Sequence, residues 1–321
     1  MNELKSQNTQ PKISVLIPVY NVEKYIERCI RSLIANTIIK DCEVVIVNDC
    51  SPDNSMSIVK RVLGEFPELA ENFKLQAHDF NRGLAAARNT ALLQAHGKYI
   101  ICVDSDDWVE KDYLEQLYNC AEKNNADVVM CNLIKETKNS SQIITEKARS
   151  NDYVMELLMG NLHGWLPEKL IKLSFLREHN IKWIEGLNMC EDLLIMTKVF
   201  YFAKKVFHID KALYHYDCTN ESSLSASLNE NKINQLINVV KEIENFLPEI
   251  YEEGIKSQKS KTKIWIVKCA ENLNSKLFNL YNESKLHKLK SLTLFIRLFH
   301  FFCYIHFYWL AKIMVKVRNK K

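Results

Sequence analysis

The strongest constraint on this chain is a rhythm: short apolar, β-branched runs alternate with helix-patterned segments through residue 135. ISVLIPV (13–19) is continuously apolar, as a strand covered on both faces is. Ile26, Cys29, Ile30, Leu33 and Ile34 then follow at helical spacing. CEVVIV (42–47) is a second strand. Ser51-Pro52-Asp53-Asn54-Ser55 is turn chemistry, with Asp53 read as the cap of a helix running to about Gly64. FKLQA (73–77) reads as a third strand. Gly83 to His96 reads as an Ala/Leu-rich helix closed by Gly97 as its C′ glycine. KYIICV (98–103) is a fourth strand, followed by a helix from about Glu110 to Asn124 and a strand DVVMCNLI (127–134). Strands alternating with helices predict an α/β fold with a doubly wound, mostly parallel sheet. Ligands of such sheets sit at the carboxyl ends of the strands.

The rest of the chain carries weaker patterns. Residues 136–150 are polar and read as a loop. Residues 151–225 are mixed, with a helix around Glu191–Phe202 and short strands near Val206–His208 and Leu213–Tyr216. Residues 228–291 read as helices. LTLFIRLFHFFCYIHFYWLAKIMV (292–315) is long enough to cross a bilayer at about 1.5 Å per residue. However, Arg297, Lys312, His300 and His306 lie inside it, and charge is expensive at bilayer depth. No Asp or Glu follows Glu283, whereas Lys285, Lys288, Lys290, Arg297, Lys312, Lys316, Arg318, Lys320 and Lys321 do. Basic flanks and aromatic content favour a membrane-surface segment over 285–321. A buried amphipathic helix or oligomer contact and a true span stay open as alternatives.

Composition narrows the function. A chain of 321 residues that is 47% hydrophobic can bury a sizeable core. A net charge of +4, with no dense Lys/Arg run among aromatics in the first two thirds, argues against a nucleic-acid partner. The ten cysteines are scattered without a C-x-x-C pair and read as small buried hydrophobes in a reducing compartment. MNELKSQNTQPK has no apolar core of a signal peptide, so the expectation is a cytoplasmic protein, peripheral on the inner face of the cell membrane if the tail engages lipid.

The acidic string VDSDDW (103–108) follows a buried strand. Carboxylates that close repel one another unless a cation neutralises them, and Mn²⁺ or Mg²⁺ takes one or two carboxylates together with phosphate oxygens. The string therefore suits a metal–diphosphate clamp, although a solvated turn capping the next helix would read the same. IPVYN (17–21), VNDCSPDNS (47–55) and NRGLAAARN (81–89) precede it. In this order and spacing the four motifs closely resemble the family 2 glycosyltransferases, which have the GT-A fold. The resemblance is strong over 13–135 and weaker through CEDLL (190–194) and LYHYDCTNESSLS (213–225).

That resemblance implies a catalytic domain over 1–225, with a donor half (12–135) and an acceptor half (136–225), and a helical extension over 226–321. It implies an inverting, metal-dependent transfer from a nucleotide sugar, expected to be UDP-linked, to a saccharide or lipid-linked saccharide hydroxyl. Pro18, Tyr20 and Glu23 would line the base pocket. Asn48 and Asp49 would contact base or ribose, Asn48 standing where many members have Asp. Arg82 and Arg88 would lie near diphosphate and ribose. Asp104 and Ser105 would meet the ribose, and Asp106, with Asp104 or Asp107, the Mn²⁺ or Mg²⁺ ion. Trp108 would begin the wall over the sugar. Of the acidic pair Glu191 and Asp192, Asp192 is favoured as general base, although acids in a first helical turn also suit the helix dipole. His215 and, less so, His208 are candidate metal or phosphate ligands, and Trp165 and Lys169 candidate acceptor neighbours. Residues 220–225 resemble a loop that closes over donor phosphates in relatives. A nucleotidyltransferase would need a Gly-rich phosphate loop, and seven glycines supply none. A non-catalytic module of the same fold is the alternative from another class.

Overall fold

The computed structural model describes residues 10–220, 228–269 and 275–318, the last four of these by backbone only. Four parallel strands form one part of a single sheet: β1 Ile13–Val19, β2 Glu43–Asn48, β3 Phe73–Ala77 and β4 Tyr99–Cys102, in the order β3-β2-β1-β4. All seven residues of β1 are buried, as its unbroken apolar run requires. Helices α1 Ile26–Ile34, α2 Ser55–Gly64 and α3 Leu84–Leu93 make the crossovers, and α1 turns Ile26, Cys29, Ile30 and Leu33 inward.

Beyond β4 the sheet becomes mixed. The strands β5 Trp108–Val109, β6 Val128–Glu136, β7 Ser141–Ile144, β8 Lys169–Lys172 and β9 Val206–Asp217 extend it as β4-β8-β6-β9-β5, with β7 hydrogen-bonded to β6. Helix α4 Tyr113–Asn124 leads into β6. Strand β9 runs parallel to β6 and antiparallel to β5.

Three local expectations change. The 136–150 segment is not all loop, because Ser141–Ile144 folds back on β6 as a hairpin. The two short strands expected near 206 and 213 are one strand, β9, whose register against β6 shifts beside Asn132. Gly97 is not a helix cap: α3 ends at Leu93 with a right-handed Gln94. A Cβ on Gly97 would stand 2.5 Å from the Ser14 nitrogen, so glycine there lets the chain pass against β1.

The chain divides into two compact units. The sheet unit comprises 1–146, 165–186 and 202–220, and the helical unit 147–164, 187–201 and 221–321. Residues 147–164 and 187–201, which the linear reading gave to the first domain, thus pack with the C-terminal helices. The intervening helices are α5 Tyr153–Met159, α6 Leu173–Glu178 and α7 Glu191–Phe202. The C-terminal ones are α8 Glu230–Phe246, α9 Glu252–Cys269, α10 Ser275–Asn279, α11 Leu294–Tyr304 and α12 Tyr308–Arg318. Helix α8 buries Ile233, Leu236, Val239, Val240 and Ile243 at helical spacing. The apolar tail is two helices rather than one, broken where His306 adopts a φ of 62°. Among the described residues no helix is long and apolar enough to cross a membrane.

Candidate active site

Because β1, β2 and β4 run parallel, the segments after them emerge on one edge of the sheet. After β1, Pro18 is buried and Tyr20 is 47% exposed, a ring available to a ligand face. Glu23 and Asp53 tie this segment to the one after β2. The Glu23 N–H donates to Asp53 Oδ2 at 2.8 Å, and Glu23 Oε2 accepts from the Asn54 N–H at 3.0 Å. Asp53 Oδ1 also accepts from the Ser55 N–H, but the N-cap of α2 is Asn54, without a side-chain cap bond, so Asp53 braces the turn before the helix rather than capping it. Asn48 Oδ1 accepts from the Ser51 N–H.

Asp49 does more than its motif suggests. It is 3% exposed, and its oxygens accept from the backbone N–H groups of Arg82 (2.8 Å) and Gly83 (2.7 Å), with His78 Nδ1 at 2.7 Å. It thereby holds the turn into α3, where Gly83 needs the positive φ of 89° that glycine allows. The Arg82 side chain turns instead to Glu185, meeting both carboxylate oxygens at 3.0–3.1 Å on the surface.

The acidic loop sits at the end of β4. Arg88, on α3 and 3% exposed, donates to Asp104 Oδ1 at 2.7 Å. Ser105 is buried beside it. Asp106 Oδ2 accepts from Asn220 Nδ2 at 2.8 Å. Burial, and then the Asp104 charge, raise the Asp106 carboxyl above the ordinary aspartate value. Asp104 and Asp106 are a hard-oxygen donor pair under like-charge strain, which fits Mn²⁺ or Mg²⁺ completed by phosphate oxygens. Among the described residues no group of three or more His, Cys, Asp or Glu is placed to hold a metal ion, so the fit is to two carboxylates plus ligand oxygens.

Asp107 departs from the expectation that it assists the metal. It is fully buried, Oδ1 accepting from the Asp217 N–H at 2.7 Å and Oδ2 from the Tyr214 hydroxyl at 2.6 Å. Both oxygens face β9, so Asp107 fixes the acidic loop to that strand. Burial, with the Asp106 and Asp104 charges, pushes its carboxyl well up.

Several residues beside the cluster escaped the sequence reading. Arg28 donates to the Asp106 carbonyl at 2.8 Å, pairs with Asp217, and lies 3.6 Å over the Trp108 ring. That pairing holds the Asp217 carboxyl below its ordinary value despite burial. The Tyr214 hydroxyl accepts from the Asp104 N–H. The only signal for these was the faint LYHYDCTN stretch; nothing local marked Arg28. His215 stacks on Trp108 and bridges Glu136 and Glu110, and His208 meets Asn132. Lys169 is buried against Glu168 and the Trp165 carbonyl, while Trp165 stacks on Tyr216. Of the 220–225 loop, residues 221–225 lie outside the described residues.

In the helical unit, Glu191 and Asp192 open α7 after Cys190, whose φ is 54°. Glu191 is 6% exposed, whereas Asp192 is more open and accepts its neighbour Leu193's N–H on Oδ1.

The sequence model described as glycosyl transferase family 2 matches residues 14–199. The chain belongs to this family. Its relatives include a Bacillus subtilis protein named as glycosyltransferase EpsH, 33% identical over 60% of this chain and 57% of its own. The Bacillus spizizenii poly(ribitol-phosphate) beta-glucosyltransferase is 33% identical over 60% of this chain and 30% of its own. The chain thus spans little more than half the length of these family 2 relatives, or less. Among solved structures, Staphylococcus aureus TarS residues 1–349 in complex with UDP-GlcNAc superposes with a TM-score of 0.71 at 20% identity, covering 96% of this chain and 92% of that one. This likeness shows the GT-A fold, and with it the α/β reading of the sequence. A Pyrobaculum calidifontis mannosyltransferase in complex with GDP-Man and Mn²⁺ follows at a TM-score of 0.54 and 16% identity, covering 97% and 88%.

Proposed function

We propose that this family 2 glycosyltransferase moves a hexosyl group from a UDP-linked donor onto the hydroxyl of a saccharide or lipid-linked saccharide, with inversion, in polysaccharide or glycolipid assembly. The observation that carries this reading is the loop after β4. Asp104 is clasped by buried Arg88 and Asp106 is held by Asn220, on the edge where Tyr20 and Asn48 emerge. The UDP-GlcNAc of the TarS structure supports UDP as the nucleotide.

Tyr20 stacks on the base, and Asn48 and Asp104 orient the nucleoside. A Mn²⁺ or Mg²⁺ ion on Asp106 and Asp104 supplies positive charge to the leaving diphosphate when bound. Arg88 fixes the Asp104 carboxylate in place for that contact. The Asp192 carboxylate takes the proton from the acceptor hydroxyl. Its openness relative to Glu191 favours it, since a base must reach a substrate atom. One displacement inverts the anomeric centre without a covalent intermediate on the enzyme.

Thermal unfolding with UDP, UDP-sugars and GDP, each with and without Mn²⁺, tests the donor site. A ligand at 100 times its dissociation constant adds about 2.7 kcal/mol. The expected result is a rise with UDP compounds that needs Mn²⁺. A folded protein that responds to no nucleotide would overturn the reading. Asp192→Asn should keep that rise and lose transfer; retained transfer would remove Asp192 as base.

A further inference from the structure

Helix α11 is apolar on both sides. Phe299 and Cys303 face inward, whereas Leu294, Leu298 and Phe301 recur on the solvent side at helical spacing with Phe295 beside them. The pattern continues on α12, where Trp309 is 61% exposed and Ile313 49%. Among the described residues, eight of the fifteen exposed large apolar side chains fall within 294–313. That concentration sets the segment apart from the scattered apolar exposure of an ordinary surface.

The charge around this face is mostly positive, with Glu283 the exposed acid next to it. Lys285, Lys288, Lys290 and Lys312 are exposed, and no acidic residue follows Glu283. Arg297 is used internally, donating to the His287 carbonyl. A second copy of this chain docked symmetrically on the face would bring the same lysines together and repel. An anionic lipid surface attracts them. Each helix has 11 residues, or roughly 16 Å of rise, about half a hydrocarbon core. The break at His306 prevents their joining into one span.

We infer that α11 and α12 lie in the plane of an anionic membrane, with Leu294, Phe295, Leu298, Phe301, Trp309 and Ile313 in the acyl boundary and the lysines at the headgroups. This binding is independent of the transferase reading, because it needs neither donor nor turnover.

The experiment is co-sedimentation of the full chain with vesicles of phosphatidylcholine alone and of equal parts phosphatidylcholine and phosphatidylglycerol, at low and high salt. The expected result is sedimentation with the anionic vesicles, weakened by salt. The double variant Leu298→Glu, Phe301→Glu should stay in the supernatant while keeping the wild-type circular dichroism. Should that variant misfold, Lys285→Ser, Lys288→Ser, Lys290→Ser provides the second reading, each lysine lost weakening partitioning roughly five-fold. Wild-type protein that stays in the supernatant with both vesicles overturns the proposal. So does a folded double variant that still sediments, or a wild-type dimer that the double variant dissociates without any vesicle binding.

Discussion

The sheet unit and the helical unit both bury charge, and they hold it in opposite ways. In the sheet unit, besides buried Arg88 and Lys169, three buried carboxylates at loop junctions collect donors. Asp49 takes two backbone N–H groups, Asp107 one N–H and a phenol, and Glu43 the Ser14 hydroxyl, the Gly97 N–H and Lys74. Charge-assisted bonds of this kind are strong, and they pin loops that are distant in sequence. In the helical unit, buried Lys259 pairs with Glu244, but two other α9 lysines, buried Lys263 and half-buried Lys261, meet only neutral oxygens. Lys261 donates to the Leu158 carbonyl and Lys263 to Asn282 Oδ1, and burial lowers each to about 8. Asp49 and Glu43 organise the first unit, whereas Lys261 and Lys263 burden the second. Asp106 differs from Asp49 and Glu43, because burial and then the Asp104 charge work against its ionised form, as burial also does at Asp107 and Glu168.

Replacing Asp106 sharpens the contrast most. Asp106→Asn removes a charge that the apo fold disfavours and that the proposed metal–diphosphate site requires. Transfer should fall about 10²–10³-fold, the usual scale for losing one transition-state charge stabiliser, and the Mn²⁺-dependent thermal rise should vanish. Apo stability should hold or increase. A variant that transfers normally would make Asp106 a structural acid like Asp49.

Asp107→Ala, one residue on, should do the reverse. It leaves the buried Asp217 N–H and the Tyr214 hydroxyl without their acceptor, at about 2–4 kcal/mol. Chemical denaturation should show this loss with an unchanged denaturant slope. A variant as stable as wild type would remove Asp107 from the structural class.

The sequence showed the adjacent strands and helices because each needs only its own run of residues. Continuous β-branched runs mark β1, β2 and β4, and the spacing of Ile26 to Leu33 marks α1. The VDSDDW loop was equally legible as an acidic strand end. Which of its carboxylates face a ligand was not, since that is decided by β9, whose Tyr214 and Asp217 lie about a hundred residues away. Arg28 sits on the outer face of α1 and reads as an ordinary helix cation until Asp217 is placed against it. The α9 segment KSQKSKTK reads as a solvated face. Lys259 and Lys263 are buried and Lys261 half-buried because long stems lie along apolar surface while each of these three Nζ atoms reaches an oxygen from another element of the helical unit.

That last feature gives the smallest effect and a defined pH signature. Lys263 is 1% exposed, and its fall from 10.5 to about 8 corresponds to a penalty of at most about 3 kcal/mol for carrying charge in the fold. Between pH 8 and 10.5 the unfolded chain holds this proton and the folded chain does not, so the Lys263 contribution to stability rises with pH across that window. Lys263→Met lacks the group. It should be more stable than wild type at neutral pH by about 1–2 kcal/mol, after loss of the Asn282 bond. The difference between the two proteins should then shrink as pH climbs from about 8 towards 10.5. Denaturation of both proteins over that range reads the difference directly and cancels the titration of the cysteines and tyrosines they share. A difference that stays constant with pH would show that Lys263 keeps an ordinary lysine affinity, and the contrast between the two units would then rest on hydrogen bonding alone.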